Sequence, residues 1–151
     1  GTNGPVAPLC SSGEGGTSPL NPFEYPWPTQ DGWASDGYGY YQGECVSFVA
    51  WAVRSDGLPH NASPDWRGNA NMWDDALGAP SNPVVDLMPH PGDIAFFDDY
   101  RNGAGAVGHV AYVAGVNADG TVKLYEYNWG NFHRLNIRTV SAGTPSRYLR
   151  F

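Results

Sequence analysis

The chain has 151 residues, enough for one domain with a buried core, and it is poor in charged residues but rich in aromatic ones. Its net charge of −7 and the lack of any Lys/Arg cluster argue against binding to nucleic acids or anionic membranes. No apolar segment is long enough to span a bilayer as a helix, and the start of the sequence does not resemble a signal peptide.

Residues 1–30 are rich in Gly, Pro, Ser and Thr, which predicts an irregular N-terminal arm or a linker. An arm would pack on the body through Phe23, Tyr25 and Trp27, whereas a linker would be the remainder of a longer protein. In either case we place the folded domain at residues 31–151.

Two segments have apolar residues at helical spacing. Residues 43–54 (GECVSFVAWAVR) predict a helix with one buried stripe. Residues 69–77 (NANMWDDAL) predict a second, shorter helix that begins at Asn69 as N-cap and buries Trp73 and Leu77.

Five later segments change to the pattern of β-strands and are bounded by Gly, Asn, Asp or Pro. They are residues 92–99, 107–116, 121–129, 133–140 and 146–151. Helices followed by strands indicate an α+β fold, with N-terminal helices packed on a C-terminal antiparallel β-sheet of about five to six strands.

Two cysteines leave several chemistries open. Cys10 and Cys45 can form one disulfide or remain free, and neither has the Cys or His neighbours of a four-ligand zinc site. We therefore predict no metal and no cofactor. Cys45 opens the first helix, where the helix dipole favours a thiolate, the form that attacks a carbonyl. A small buried core cysteine fits that position equally well.

Four histidines are candidates for a base beside this thiol. His60 and His90 lie in proline-containing loops typical of solvated turns, and His133 opens a strand without a further signal. His109 lies between a glycine and a strongly apolar strand, and it fits either a base or a hydrogen-bonded core histidine.

The hairpin that contains His109 brings polar residues close to it. The short loop NADG pairs Val116 with Thr121, so that His109 faces Asn128 and Glu126 lies two residues along on the same strand face. A slip of two residues puts Glu126 itself opposite His109. Polar side chains between apolar strands are costly unless hydrogen-bonded, which indicates a function.

Together these residues can form a thiol hydrolase. Cys45 would attack, His109 would accept and return the proton, and Glu126 or Asn128 would orient the imidazole. The backbone N–H of Cys45 is a candidate oxyanion donor, and Gln42 is a second one.

Five motifs in order, GECVSFVAW, GNANMW, PHPGDIAFF, GHVAYV and YEYNW, resemble the CHAP family (cysteine, histidine-dependent amidohydrolases/peptidases) of the NlpC/P60 papain-like superfamily. The resemblance covers about residues 36–151. It implies that Cys45 is the nucleophile, His109 the base, Glu126 the orienting acid and Asn128 a fourth member.

The resemblance implies hydrolysis of an amide in bacterial peptidoglycan, either the N-acetylmuramoyl–L-alanine bond or one in the stem peptide or cross-bridge. Members occur in phage endolysins, tail-associated lysins and secreted autolysins, so the expected location is extracellular, at the cell wall. Alternatives are a catalytically idle wall- or glycan-binding module with the same fold and a thiol hydrolase of another amide.

This sequence departs from the family in two places. Some phage members bind calcium with several Asp residues before the nucleophile, but here Asp36 stands alone in SDGYGYYQGEC, so we expect no calcium. Cys10 has no counterpart in the motifs; it is an inert cysteine, a free thiol or a reversible disulfide partner of Cys45.

The acidic charge does not steer this chain to a polyanionic wall. Wall binding would then need a further module in a longer chain, aromatic contacts or delivery to a confined place. Candidate groove walls are Tyr40, Tyr41, Trp73 and Trp129, although a core position is the stronger alternative for Trp73. We expect a monomer.

Overall fold

The computed structural model describes residues 16–75 and 83–151. The strands are β1 (Gly16–Thr17), β2 (Val84–Asp86), β3 (Ile94–Phe97), β4 (His109–Val116), β5 (Thr121–Tyr127), β6 (Leu135–Ser141) and β7 (Arg147–Arg150). One α-helix, α1 (Cys45–Ser55), and two 3₁₀ turns (Pro22–Glu24 and Ala70–Met72) complete the regular structure of these residues. None of the helices in this part of the chain is long and apolar enough to cross a membrane.

The strands form one antiparallel sheet in the order β2-β7-β3-β4-β5-β6, and β1 pairs with the end of β4. β4 is buried along its whole length because both sheet faces are covered. Val110 and Tyr112 belong to the core that contains α1, while Ala111 and Val113 belong to a smaller core on the other face. His109, the first residue of β4, therefore lies at the end of a buried strand inside the sheet.

The predicted helix at residues 43–54 is present as α1. It begins at Cys45 because Glu44 is extended (φ −78°, ψ 155°) and Gly43 has φ 87°. Its buried side chains include Phe48 and Val49, which pack in the sheet core. Since the apolar stripe fixes the orientation of the helix, it also fixes where the side chain of Cys45 emerges.

The prediction of a second helix at residues 69–77 is wrong for residues 69–75, the part that the structure describes. Only the 3₁₀ turn Ala70–Met72 forms, and the Asn69 side chain makes no capping hydrogen bond to it. Asn and Asp are weak helix formers because their side chains compete for the backbone, and NANMWDD is rich in both. Trp73 is buried as predicted, whereas Leu77 lies outside the described residues.

The sheet has two strands beyond the five that the sequence predicts. β1 and β2 have two and three residues, too few to show an alternating pattern. β1 lies within the predicted N-terminal arm, and Tyr25 of the same segment is only 2% exposed, with Trp27 packed edge-on against it at 5.5 Å. Phe23 is exposed. The domain boundary at residue 30 stays a prediction.

The β4–β5 pairing differs from the prediction near the turn and agrees with it nearer the site. At the turn Val116 pairs with Val122, one residue beyond the predicted Thr121. The register shifts by one residue at an irregularity between Val113 and Gly115, and Tyr112 then pairs with Tyr125. The predicted register is therefore confirmed for the pairs Tyr112–Tyr125 and Val113–Leu124, which lie nearer His109.

Candidate active site

A cavity of about 480 Å³ opens where the start of α1, the start of β4 and the end of β5 meet. Its wall carries Glu44, Cys45, His109, Asn128 and Trp129, together with glycine-rich backbone between residues 103 and 108 and at 130. Small residues on that side leave an open approach to the thiol.

Cys45 and His109 meet at the wall of this cavity. Cys45 is the first residue of α1, is partly buried and has a free thiol, and its side chain is hydrogen-bonded to His109. The Nε2 atom of His109 lies 2.9 Å from Oε1 of Glu126, which leaves Nδ1 for Sγ of Cys45. As the first helical residue, Cys45 also has a backbone N–H without an intrahelical acceptor, as an oxyanion donor requires.

Glu126 is fully buried and both of its oxygens are occupied. Oε1 accepts a hydrogen bond from Nε2 of His109. Oε2 accepts from Nδ2 of Asn136 at 2.8 Å and from Nε of Arg138 at 2.6 Å. Arg138 also lies over the ring of Trp129 at 4.2 Å. These contacts fix the carboxylate, which in turn fixes the imidazole.

Electrostatics at the site favour an ion pair. Burial by itself lowers the pKa of His109, but hydrogen bonds and charges from Cys45 and Glu126 raise it to about 9. Burial by itself raises the pKa of Glu126, yet His109 and Arg138 hold it below its usual value. At neutral pH the imidazole is therefore protonated between two acidic partners.

The sequence analysis missed Asn136 and Arg138, although a signal was available. β6 pairs with β5 so that Asn136 is opposite Glu126, and Arg138 lies two residues along on the same face. Extending the hairpin reasoning from β5 to the next predicted strand would have found both.

Asn128 lines the cavity but does not contact the imidazole. Its Nδ2 donates to Oε2 of Glu44 at 2.8 Å and its Oδ1 accepts from the backbone N–H of His133 at 3.2 Å. The cause is local: β5 ends at Tyr127, and Asn128 turns away with φ 63°. The sequence placed Asn128 opposite His109, whereas in the structure it contacts Glu44, the residue before Cys45.

The amide of Gln42 is engaged away from the cavity. Its Nε2 donates to the carbonyl of Ser35 at 2.9 Å and its Oε1 accepts from Gln30 at 2.8 Å. Gln42 is not among the residues that line the cavity. Its role as an oxyanion donor stays a prediction.

The four candidate groove aromatics separate into three environments. Trp129 lines the cavity, with its ring 4.7 Å from that of His109. Tyr40 and Trp73 are buried and pack against each other at 5.8 Å. Tyr41 is exposed and meets the ring of Trp33 at 5.5 Å.

The remaining histidines lie in different surroundings. His60 was expected to be solvated but is largely buried, and its Nε2 lies 2.9 Å from Asp56. His90 is exposed, as a turn residue should be. His133, which the sequence left without a role, is fully buried with Nε2 at 2.7 Å from Glu44.

In the loop before Cys45, the Asp36 side chain hydrogen-bonds to the backbone. Oδ1 of Asp36 accepts the backbone N–H groups of Tyr38 and Tyr40 at 2.7 and 3.1 Å, so that oxygen is used to fold the loop. Residues 16–75 and 83–151 contain no group of three or more His, Cys, Asp or Glu side chains that could hold a metal. Cys10 lies outside the described residues.

Comparison with known proteins places this geometry in a family. The family model "CHAP domain" matches residues 34–128. The chain is 34% identical over 118 residues to staphylococcal secretory antigen SsaA of Staphylococcus epidermidis, covering 76% of this chain and 40% of that protein. It is also 34% identical over 121 residues to the Staphylococcus aureus antigen of the same name, covering 78% and 42%.

The chain thus spans about two fifths of the length of these curated relatives. Among solved structures, an N-acetylmuramoyl-L-alanine amidase from Staphylococcus aureus matches with a TM-score of 0.65 at 24% identity, over 80% of this chain and 33% of that one. This likeness shows a shared fold. The family match runs from the loop before Cys45 through His109 and Glu126 to Asn128, and the chain belongs to the CHAP domain family.

Proposed function

We propose that this CHAP domain hydrolyses an amide bond of bacterial peptidoglycan, with Cys45 as nucleophile, His109 as proton carrier and Glu126 as the orienting carboxylate. The observation that carries the proposal is the His109 ring, which is held between the thiol and a buried carboxylate at a cavity wall. A buried imidazole placed between these two groups has the arrangement of a thiol hydrolase.

The reaction follows from the geometry. Sγ of Cys45, as thiolate, attacks the amide carbonyl carbon, and the backbone N–H of Cys45 stabilises the developing oxyanion. Nδ1 of His109 gives its proton to the leaving nitrogen, which departs as an amine and leaves a thioester. His109 then removes a proton from water, the resulting hydroxide attacks the thioester, and a carboxylic acid leaves as the thiolate–imidazolium pair is restored.

The names of related proteins support the substrate class and the location. A solved protein with this fold is named as an N-acetylmuramoyl-L-alanine amidase, and two relatives are named as secretory antigens. We therefore propose action outside the cell on peptidoglycan, at the N-acetylmuramoyl–L-alanine bond or at an amide of the stem peptide or cross-bridge. With a net charge of −7, wall targeting falls to a further module of a longer chain or to aromatic contacts.

Purified peptidoglycan tests the proposal. The wild-type protein should lower the turbidity of a wall suspension, and mass spectrometry of the fragments identifies the bond. A new alanine N-terminus indicates the amidase reaction, and a cleaved stem or cross-bridge indicates an endopeptidase.

Cys45→Ala and His109→Ala should abolish fragment release while the circular dichroism spectrum stays unchanged. Asp119→Asn, an exposed carboxylate in the β4–β5 turn, is the matched control and should retain activity. Pelleting with walls without new amine groups would instead indicate an idle binding module. Cleavage by Cys45→Ala at the wild-type rate would refute the mechanism.

A further inference from the structure

A second histidine–carboxylate pair lies next to the nucleophile, and the proposed reaction does not use it. Nε2 of His133 is 2.7 Å from Oε2 of Glu44, the residue before Cys45. Nδ1 of His133 is 2.9 Å from the backbone carbonyl of Gln30. The same Glu44 oxygen accepts from Asn128 at 2.8 Å, so two side chains converge on it.

Both ring nitrogens of His133 face acceptors. A backbone carbonyl only accepts, so Nδ1 carries a hydrogen. Oε2 of Glu44 already accepts from Asn128, and an ionised carboxylate only accepts, so Nε2 carries a hydrogen too. His133 thus donates through both ring nitrogens, one hydrogen bond to Gln30 and one to Glu44 beside Cys45.

The His133 ring is packed tightly against the chain that leads to the nucleophile. A Cβ on Gly43 would lie 2.8 Å from Cβ and Cγ of His133, and Gly43 has φ 87°. Phe132 stacks on the ring at 3.8 Å, and Trp33 meets it edge-on at 5.1 Å. These rings keep water away from His133, which strengthens its bond to Glu44.

The start of α1 lacks the usual device that fixes a helix end. Glu44 is the N-cap residue, but its side chain makes no capping hydrogen bond. Ser, Thr, Asp and Asn are the residues that cap through their side chains. The position of Glu44 is set instead by hydrogen bonds from His133 and Asn128.

We propose that His133 is a positioning residue for the nucleophile. Its Nε2–H group holds Glu44, and through Glu44 it keeps the thiol and backbone N–H of Cys45 aligned with His109. The inference rests on the proposed thiol mechanism, and it gives Asn128 a place in the same contact.

Two substitutions of His133 separate positioning from stability. The amide nitrogen of Gln reaches about the place of Nε2, so His133→Gln keeps a donor for Glu44 and loses the bond to Gln30. The amide of the shorter Asn reaches about the place of Nδ1, so His133→Asn keeps the hydrogen bond to Gln30 and loses the one to Glu44. His133 has φ 53°, which Asn adopts more readily than Gln, so the backbone favours the Asn variant.

If His133 positions Cys45, the two variants should rank in one order by Tm and in the opposite order by kcat. His133→Asn should have the higher Tm but lose about 10- to 100-fold in kcat with little change in KM, the usual effect of losing a group that orients a catalytic one. His133→Gln should have the lower Tm and keep more of kcat. If the variant with the lower Tm also has the lower kcat, His133 has only a structural role.

A second measurement needs no peptidoglycan. Iodoacetamide alkylates the Cys45 thiolate in the full chain, and mass spectrometry of the Cys45 peptide gives the rate at pH 7. Rates should fall in the order wild type, His133→Gln, His133→Asn, by about tenfold for the last. A His133→Asn rate equal to wild type overturns the inference.

The two measurements distinguish the two proposals. If the alkylation order holds but wild-type protein releases no fragments, the proposed function fails and the positioning role stands. If wild type cleaves peptidoglycan and His133→Asn does so equally, only the positioning role fails.

Should neither His133 variant fold, Glu44 supplies the same test, because its side chain is one quarter exposed. Glu44→Ala removes the acceptor and should slow alkylation, while Glu44→Gln keeps an acceptor and should slow it less. Equal rates for the two Glu44 variants would contradict the inference.

Discussion

Replacing Glu126 by Gln should move the alkaline limit of activity to lower pH. The substitution preserves the shape of the side chain and removes its charge. In the wild-type protein Oε1 lies 2.9 Å from Nε2 of His109, and Arg138 holds the other oxygen at 2.6 Å. A Gln carbonyl that accepts from Arg138 leaves the Gln NH2 group facing Nε2 of His109, so the substitution removes both the charge and the acceptor that stabilise the imidazolium.

The magnitude follows from the pKa of His109, which is raised from 6.5 to about 9 although burial opposes protonation. That difference corresponds to about 3 kcal/mol in favour of the imidazolium, contributed jointly by Cys45 and Glu126. An adjacent opposite charge moves a pKa by about one to three pH units, so loss of the Glu126 charge should bring His109 down to about 6–8. The imidazolium is lost as pH rises through its pKa, and the leaving amine then lacks its proton donor.

The assay is the initial rate of peptidoglycan hydrolysis at subsaturating substrate between about pH 5 and pH 10, which reports the free enzyme. Wild type should lose activity with a midpoint at about pH 9, and Glu126→Gln at a lower pH. Asp119→Asn removes the same charge from an exposed turn and should leave the midpoint in place. An alkaline limb that does not move in Glu126→Gln would refute the assigned role of this carboxylate.

Two further predictions concern stability. Gly43→Ala should destabilise by more than the about 1–2 kcal/mol of a left-handed non-Gly residue, because its Cβ would also meet His133. Gly57→Ala, at φ 73° with open space around it, is the matched control, and equal losses of unfolding free energy in urea would contradict the clash. The hydrogen bond to Asp56 raises the pKa of His60, so this stabilisation is complete below pH 6.5 and is lost as pH rises through the raised pKa. His60→Gln should remove that part of the pH dependence of the unfolding free energy in urea. If the unfolding free energy of the variant changes with pH as in wild type, other groups cause the dependence.

Local patterns made part of the site predictable. The apolar stripe of residues 43–54 identified α1, and a helix start there placed Cys45 at its first turn. The alternating pattern and the short loop of the hairpin brought His109 and Glu126 to one region of the sheet. These inferences succeeded because each depends on neighbours in the sequence or on a single strand pairing.

The contacts around Glu44 could not be predicted in this way. Glu44 and His133 are 89 residues apart, and their meeting depends on two positive φ angles, at Asn128 and at His133 itself. Non-Gly residues rarely adopt such angles, and no local pattern required them here. The β1 strand was missed for a related reason, since two residues become a strand only because β4 is already there to pair with them.

The irregularity in β4 decides whether His109 has a carboxylate at all. Near the turn Val116 pairs with Val122, and a continuous ladder in that register would put Glu126 opposite Tyr112. Side chains alternate along a strand, so Glu126 would then share the face of Tyr112, opposite to that of His109. The one-residue shift between Val113 and Gly115 restores the pairing of Tyr112 with Tyr125 and returns Glu126 to the His109 face. The predicted register began from the wrong pair at the turn and still brought Glu126 to His109, because the extra residue in β4 cancels the extra residue in the turn.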